Sequence, residues 1–294
     1  MIDIKICPVC GGQNLQHLLS SKDNTVSQEV FELRQCQTCK LGITTPRPSD
    51  KDLHQYYLSD DYISHSNKGT TLVDKAYLIA RSFTLKWKLR IVQQGNTTPG
   101  KILDYGCGTG EFLSACRNAA WTTVGVEPSP AAREQAKKIT GSPVYESLLS
   151  VTDENFSVIT LWHVLEHVSD LDQTLSLLKS KLAENGTIFI AVPNHSSWDG
   201  QHYKEHWAGY DTPRHLWHFS RETMKALITK NGMKAVGTIP MKLDSFYISL
   251  LSEKYKNKRS SLTGMLKATF NGFKSNVKAS KSGDYSSLIY IVRK

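Results

Sequence analysis

Ile102-Leu103-Asp104-Tyr105-Gly106-Cys107-Gly108-Thr109-Gly110-Glu111-Phe112 is the stretch that decides the fold. A short apolar strand runs into a glycine-rich turn and out into a helix. Such a turn brings backbone amides close to a ligand, where a Cβ would block the approach. In open α/β sheets, ligands sit at this edge, beyond the carboxyl ends of the strands. The glycine spacing excludes two common ligands. A dinucleotide loop needs Gly-x-Gly-x-x-Gly, but here the third glycine comes one residue early and Glu111 holds the later position. A phosphate loop needs Gly-Lys-Ser/Thr, which is missing. Asp104, just ahead of the turn, puts a carboxylate where a pyrophosphate is repelled and a cationic amino group is welcome.

Outward from the loop, strands and helices alternate. Thr122–Glu127 reads as the next strand and runs on into Pro128-Ser129. Glu127 thus falls about twenty residues past the loop, on the neighbouring strand tip, placed to accept hydrogen bonds from both hydroxyls of a ribose. Helices are expected at Gly110–Ala120, Pro130–Lys138, Leu171–Leu182 and Ser220–Lys230. Further strands are expected near Val144 and at Ser157–Leu161, Gly186–Val192, Ala235–Ile239 and Ser287–Val292. This pattern predicts an α/β fold with a parallel sheet and helices on both faces. Upstream, Asp50 to Gln94 reads as helical, opened by Tyr56, Tyr57 and Tyr62 and continued by Leu72, Ala76, Ile79, Phe83 and Leu89. No internal repeat is present.

Residues 1–45 form a separate unit. Cys7-x-x-Cys10 and Cys36-x-x-Cys39, with 25 residues between the pairs, have the spacing of a four-thiolate zinc site. Gly11 and Gly42 follow the two pairs and are expected to shape the knuckles. With every ligand a cysteine there is no open coordination position, so the zinc is expected to be structural; a redox dithiol is the alternative. Cys107 and Cys116 read as small packing residues.

Asp104-Tyr105-Gly106-Cys107-Gly108-Thr109-Gly110 resembles the first motif of class I S-adenosylmethionine-dependent methyltransferases, and Glu127 matches their ribose-binding acid. Val158-Ile159-Thr160-Leu161-Trp162-His163-Val164-Leu165-Glu166-His167-Val168 resembles the fourth-strand motif of the ubiquinone-biosynthesis-like subset. The resemblance covers roughly residues 50–240. It implies a Rossmann-like seven-stranded sheet. Asp104 and Gly106 would hold the methionine end of S-adenosyl-L-methionine, Glu127 its ribose, and the loop after Val144 its adenine. Tyr105, Gly108, Gly110, Pro128, Trp162 and His163 complete the expected cofactor contacts. The order of zinc ribbon, Pro46-Arg47-Pro48-Ser49, aromatic segment (Tyr56, Tyr57, Tyr62, His65) and nucleotide domain is similar to many bacterial methyltransferases of surface glycans, lipids and secondary metabolites. The expected domains are a ribbon at 1–45, a helical linker and cap at 46–98, and a methyltransferase domain at 99–294 with a basic insertion at 251–284.

Methyl transfer needs an acceptor lined up behind the sulfonium methyl, and a hydroxyl or ammonium acceptor also needs a base. His163, at the fourth strand tip, is one candidate. The aromatic loop after strand five holds five of the ten histidines, namely His195, His202, His206, His215 and His218, and adds His215 and Arg214 as expected substrate contacts. Glu166 and His167 read as support for the following turn. The net charge of +9 is concentrated late: eight basic residues stand against Glu253 between Leu251 and Lys281. That run reads either as a solvated helix face or as a patch for nucleic acid, acidic lipid or a phosphorylated substrate.

The acceptor class is therefore a small molecule, lipid or glycan precursor. RNA is the alternative, because a four-cysteine module with basic charge suits it. Against RNA, Leu161-Trp162-His163-Val164 replaces the Asn/Asp-Pro-Pro-aromatic motif of base amine methylation, and no cysteine nucleophile lies near strand four or five. A non-catalytic cofactor-binding protein is a further reading. Met1–Cys7 does not read as a secretory leader and no apolar run reaches the roughly 18–20 residues of a membrane span, so the expected location is cytoplasmic. The oligomeric state is open.

Overall fold

The computed structural model describes residues 1–57, 72–95, 98–259 and 261–294; the side chains of 72–82 and 95 lie outside the description. Tyr62 and His65, and the side chains of Leu72, Ala76 and Ile79, fall outside the described residues. The strands are β1 (Leu15–Lys22), β2 (Val30–Cys36), β3 (Gly42–Thr44), β4 (Lys101–Tyr105), β5 (Thr122–Val126), β6 (Val144–Tyr145), β7 (Phe156–Trp162), β8 (Leu182–Pro193), β9 (Trp217–His218), β10 (Lys234–Pro240) and β11 (Ser287–Arg293). The α-helices are α1 (Leu72–Gly95), α2 (Glu111–Asn118), α3 (Pro130–Thr140), α4 (Leu171–Lys181), α5 (Trp198–Tyr203), α6 (Arg221–Lys230), α7 (Asp244–Asn257) and α8 (Leu262–Ser282).

The expected seven-stranded sheet is present, in the order β10-β11-β8-β7-β4-β5-β6. The run from β7 through β4 and β5 to β6 is parallel. Each strand and helix of the alternating pattern falls where the sequence places it, with ends shifted by a few residues. Ile102 and Leu103 of β4 and Val158, Ile159 and Leu161 of β7 are buried, which explains the unbroken apolar runs. Helix α3 starts on Pro130 behind Ser129, a position where a missing N–H costs nothing.

By its contacts the chain divides into two units that cut across the boundaries drawn at 45 and 98. One comprises 1–63, 165–171 and 191–290; the other comprises 64–164, 172–190 and 291–294. In the first lies a four-stranded sheet, β1-β2-β3-β9, whose last strand comes from the loop after β8. Gly42↔His218 and Ile43↔Trp217 are the closing pairs. Leu33, Tyr203, Trp207, Tyr210 and Ile248 form one apolar cluster of this unit. The basic stretch expected at 251–284 makes up most of the helical pair α7 and α8. In the second unit, Cys107, Leu113, Ala136 and Val144 pack together behind the glycine loop. Among the described residues, no helix is long and apolar enough to cross a membrane.

Candidate functional site

The carboxyl ends of β4, β5 and β7 bring Asp104, Tyr105, Gly106, Gly108, Gly110, Glu127, Pro128, Trp162 and His163 to one edge of the second unit, since β4 lies between the other two strands in parallel. Gly106 has φ +75, and a Cβ there would run into the Val164 side chain, so only glycine closes this turn. Its N–H and that of Cys107 both donate to the Val126 carbonyl, at 2.8 and 3.0 Å, which locks the loop against β5. Glu127 ties the next step. Its Oε2 accepts from Gly108 N–H at 2.9 Å and its Oε1 from Ser129 N–H at 2.8 Å. Burial raises the Glu127 carboxyl above its usual range although both amides favour the charge.

Asp104 is 2% exposed and accepts a 2.6 Å hydrogen bond from the Thr160 hydroxyl. Burial pushes its carboxyl up to about 7, against the pull of Thr160 and of the Lys88 ammonium. Trp162 packs edge-on to Phe112 with ring centres 5.3 Å apart, and Lys88 Nζ sits 4.5 Å above its ring. Its buried indole N–H finds no acceptor among the described residues. Lys88 was not singled out from the sequence; its place on α1, in a segment expected to cap the cofactor, was the available signal. His163 carries φ +58, an uncommon conformation for a residue with a side chain. Glu146, in the loop after Val144, is mostly exposed and lies 3.8 Å from Arg133. Cys107 and Cys116 are buried, which raises both thiols and suits packing rather than attack.

The histidine-rich loop belongs to the first unit, and much of it is scaffold. Arg214, expected to meet substrate, is 1% exposed. It donates to Asp23 Oδ1 at 3.0 Å, to both oxygens of Asp211 at 2.6 and 3.0 Å, and to the Tyr56 carbonyl at 2.8 Å. A guanidinium so committed holds the loop, and its reading as a substrate contact is corrected to a structural one. His195 bonds the Lys40 carbonyl and His218 the Thr44 hydroxyl; burial drives the first down to about 4 and holds the second well below the ordinary histidine value. His202 is stacked on Trp198.

His215 has a different setting. Its Nδ1 donates to the Gly209 carbonyl at 2.9 Å, leaving Nε2 facing Glu166 Oε1 at 4.0 Å. His167 Nδ1 likewise donates to the Arg214 carbonyl at 3.0 Å, and burial lowers its pKa to about 4. Glu166, His167 and His215 bring three ligand-type atoms within 4.8 Å of one another. The sequence named each separately; nothing in it joins position 215 to 166.

The four N-terminal cysteines form a second such group, all four sulfurs within 4.8 Å of one another. Cys7–Cys39 and Cys10–Cys36 stand at 3.4 Å, well beyond the roughly 2.05 Å of a disulfide, and all four are free thiols. The two knuckles are built alike. Cys7 accepts from Gly11 N–H and donates to the Gly12 carbonyl, and Cys36 does the same with Lys40 and Leu41, each bond at 2.9 Å. The left-handed residues are Gly11 (φ +73) and Lys40 (φ +63), so Gly42, expected in the second knuckle, is instead a strand residue of β3. The hydrogen bond from Cys39 draws Cys7 down to about 5 and pushes Cys39 up. This donor set fits a divalent, thiophilic ion.

Residues 78–237 match the model of the family described as methyltransferase domain, and the chain belongs to that family. Among curated relatives, it is 31% identical over 123 residues to a ubiquinone biosynthesis O-methyltransferase of Pasteurella multocida, covering 35% of this chain and 51% of that one. It is 27% identical over 150 residues to the Bartonella bacilliformis protein of the same name, covering 46% and 60%. The chain thus spans about half to three-fifths of the length of these relatives. A solved structure of magnesium protoporphyrin IX methyltransferase from Synechocystis, with bound SAH, shares the fold at TM-score 0.54 and 14% identity, covering 83% of this chain and 100% of that one. A sarcosine dimethylglycine methyltransferase structure from Galdieria sulphuraria does so at 0.51 and 14%, covering 75% and 88%.

Proposed function

We propose that the chain transfers a methyl group from S-adenosyl-L-methionine to a hydroxyl of a small-molecule acceptor, with Cys7, Cys10, Cys36 and Cys39 holding a structural zinc. The observation that carries the reading is the coupling of the left-handed glycine turn to Glu127 through the Gly108 amide. It presents open backbone and a buried carboxylate side by side. The names of the curated relatives support oxygen as the acceptor atom. Bound S-adenosyl-L-methionine supplies an electrophilic methyl on a sulfonium sulfur.

In this reading Asp104 faces the donor's ammonium, and Glu127 takes the ribose hydroxyls. Tyr105, Gly106, Gly108, Gly110 and Pro128 shape the cradle, and Trp162 and His163 border the methyl. The donor would supply its methyl to the acceptor oxygen, leaving S-adenosylhomocysteine, and a histidine would take the hydroxyl proton. His163 and His215 are the proposed acceptors of that proton. His215 is supported by its Nδ1 bond, which fixes the tautomer with a lone pair on Nε2. Calorimetric titration with S-adenosyl-L-methionine tests the cofactor half: Glu127→Ala is expected to weaken binding at least about a hundredfold, as two hydrogen bonds to a charged group vanish. Unchanged affinity in that variant sinks the ribose assignment.

A pH dependence follows from Asp104. Only its carboxylate attracts the ammonium, and with a carboxyl near 7 that form must be made by releasing a proton below neutrality. Affinity is expected to climb by up to about tenfold per pH unit toward 7 and level off above it. In the free protein the sign is opposite for stability: a raised carboxyl favours the fold below its unfolded value and loses that contribution as pH rises through about 7. Asp104→Asn should abolish the slope in affinity; an unaltered slope assigns it to another group.

A further inference from the structure

Helices α7 and α8 pack against each other through small and polar residues. A Cβ on Gly272 would lie 2.9 Å from the Phe246 Cα, so the two backbones approach closely there. Asn271 donates to the Tyr203 hydroxyl at 2.8 Å and Ser275 to Asp199 at 2.6 Å, while Gly264, Ala268 and Ala279 are buried along the same side. These contacts fix which face of α8 turns inward.

The outward face is unusual. Leu262, Met265, Leu266, Phe270, Phe273 and Val277 recur at three- and four-residue steps, and all are exposed, Leu262, Leu266, Phe270 and Phe273 by 60% or more. At 3.6 residues per turn they form one continuous stripe. Lys267, Lys274 and Lys278 fall along one edge of it, between the apolar stripe and the buried face. Lys254, Lys256, Lys258, Arg259 and Lys281 are exposed on the same helical pair, whose single acid from 251 to 281, Glu253, is buried.

We propose that α8 docks on an anionic lipid surface, lying in the interface plane with Leu266, Phe270 and Phe273 among the acyl chains and the lysines at the headgroups. An exposed apolar stripe of this size marks an interaction surface, and the charge selects the partner. A second copy would bring two strongly basic faces together, whereas a bilayer of acidic lipid offers apolar depth and negative charge at once. An RNA backbone would satisfy the lysines and leave the leucines in water. The inference stands on these helices alone and is independent of which acceptor is methylated.

Co-sedimentation of the full chain with phosphatidylcholine vesicles, with and without phosphatidylglycerol, tests it. Binding is expected only with the anionic lipid and should weaken as salt is raised. F270S/F273S is expected to lower the partition coefficient by about tenfold or more through lost apolar burial. K267E/K278E should lower it and flatten its salt dependence. Both pairs are exposed, so thermal melting is expected to be unchanged and certifies the fold. No binding to anionic vesicles by folded protein overturns the proposal. So does self-association, or RNA binding, that F270S/F273S abolishes while vesicle binding persists.

Discussion

Replacing Arg214 with methionine is expected to lower stability by about 3–5 kcal/mol. The cause is what remains rather than what is lost. Asp23 is fully buried and Asp211 lies beside it in the same ion pairs, so removal of the guanidinium leaves two carboxylates close together without their cation. Asp23 retains the Thr25, Val26 and Ser27 amides, which offset part of the loss. In the native protein burial works against both carboxylates, yet the Ser27 amide and Arg214 hold Asp23 below its ordinary range, and Arg214 does so for Asp211. Such lowered groups stabilise the fold above their unfolded pKa and lose that contribution as pH falls through the folded one. In the variant both pKa values rise, so the deficit should be largest at neutral pH and shrink on acidification through the usual carboxylate range. Denaturant melts at two pH values check this; a deficit under about 1 kcal/mol at neutral pH would mean that Arg214 is not structural.

The second large effect is expected on removing the proposed zinc from the cysteine cluster. Structural zinc contributes on the order of 10–16 kcal/mol of apparent folding energy to small peptide modules, and here the surrounding sheet and core share the task. Cys36→Ser, at a buried position, should yield protein without stoichiometric zinc by elemental analysis and with a melting transition lowered by well over about 10 °C. Equal melting of the metal-free and metal-loaded forms would show that the knuckles close without an ion. Hydrogen exchange should locate the loss in β1 and β2 and leave β4 to β7 protected.

The nucleotide-binding half could be read from the sequence because its signals are local. Lys101–Tyr105, Gly106 to Gly110 and Thr122–Val126 follow one another within a single strand–turn–helix–strand unit, and Glu127 needs only its strand tip to find its place. What the sequence did not show depends instead on contacts between distant positions or on weak local patterns. Strand β1, Leu15–Lys22, is mostly polar and half-exposed, so no alternation announces it. Arg214 looks like a binding residue until Asp23, 191 positions earlier, is brought against it. The five clustered histidines suggested chemistry, yet His195 and His218 serve as buried hydrogen-bonding spacers. A charge run at 251–281 gave away its lysines but not the apolar stripe between them, because leucine and phenylalanine on a helix ordinarily mark the buried side.

The pairing of β3 with β9 bears on how the chain is made. Thr44 and His218 meet across 174 residues of sequence, and the strand pair beside them closes the ribbon sheet. During synthesis the cysteine knuckles emerge well before their sheet can close: one edge of β3 stays unpaired until the segment around Trp217 has left the ribosome, after most strands of the seven-stranded sheet. A sheet begun before β4 to β8 is thus completed after them.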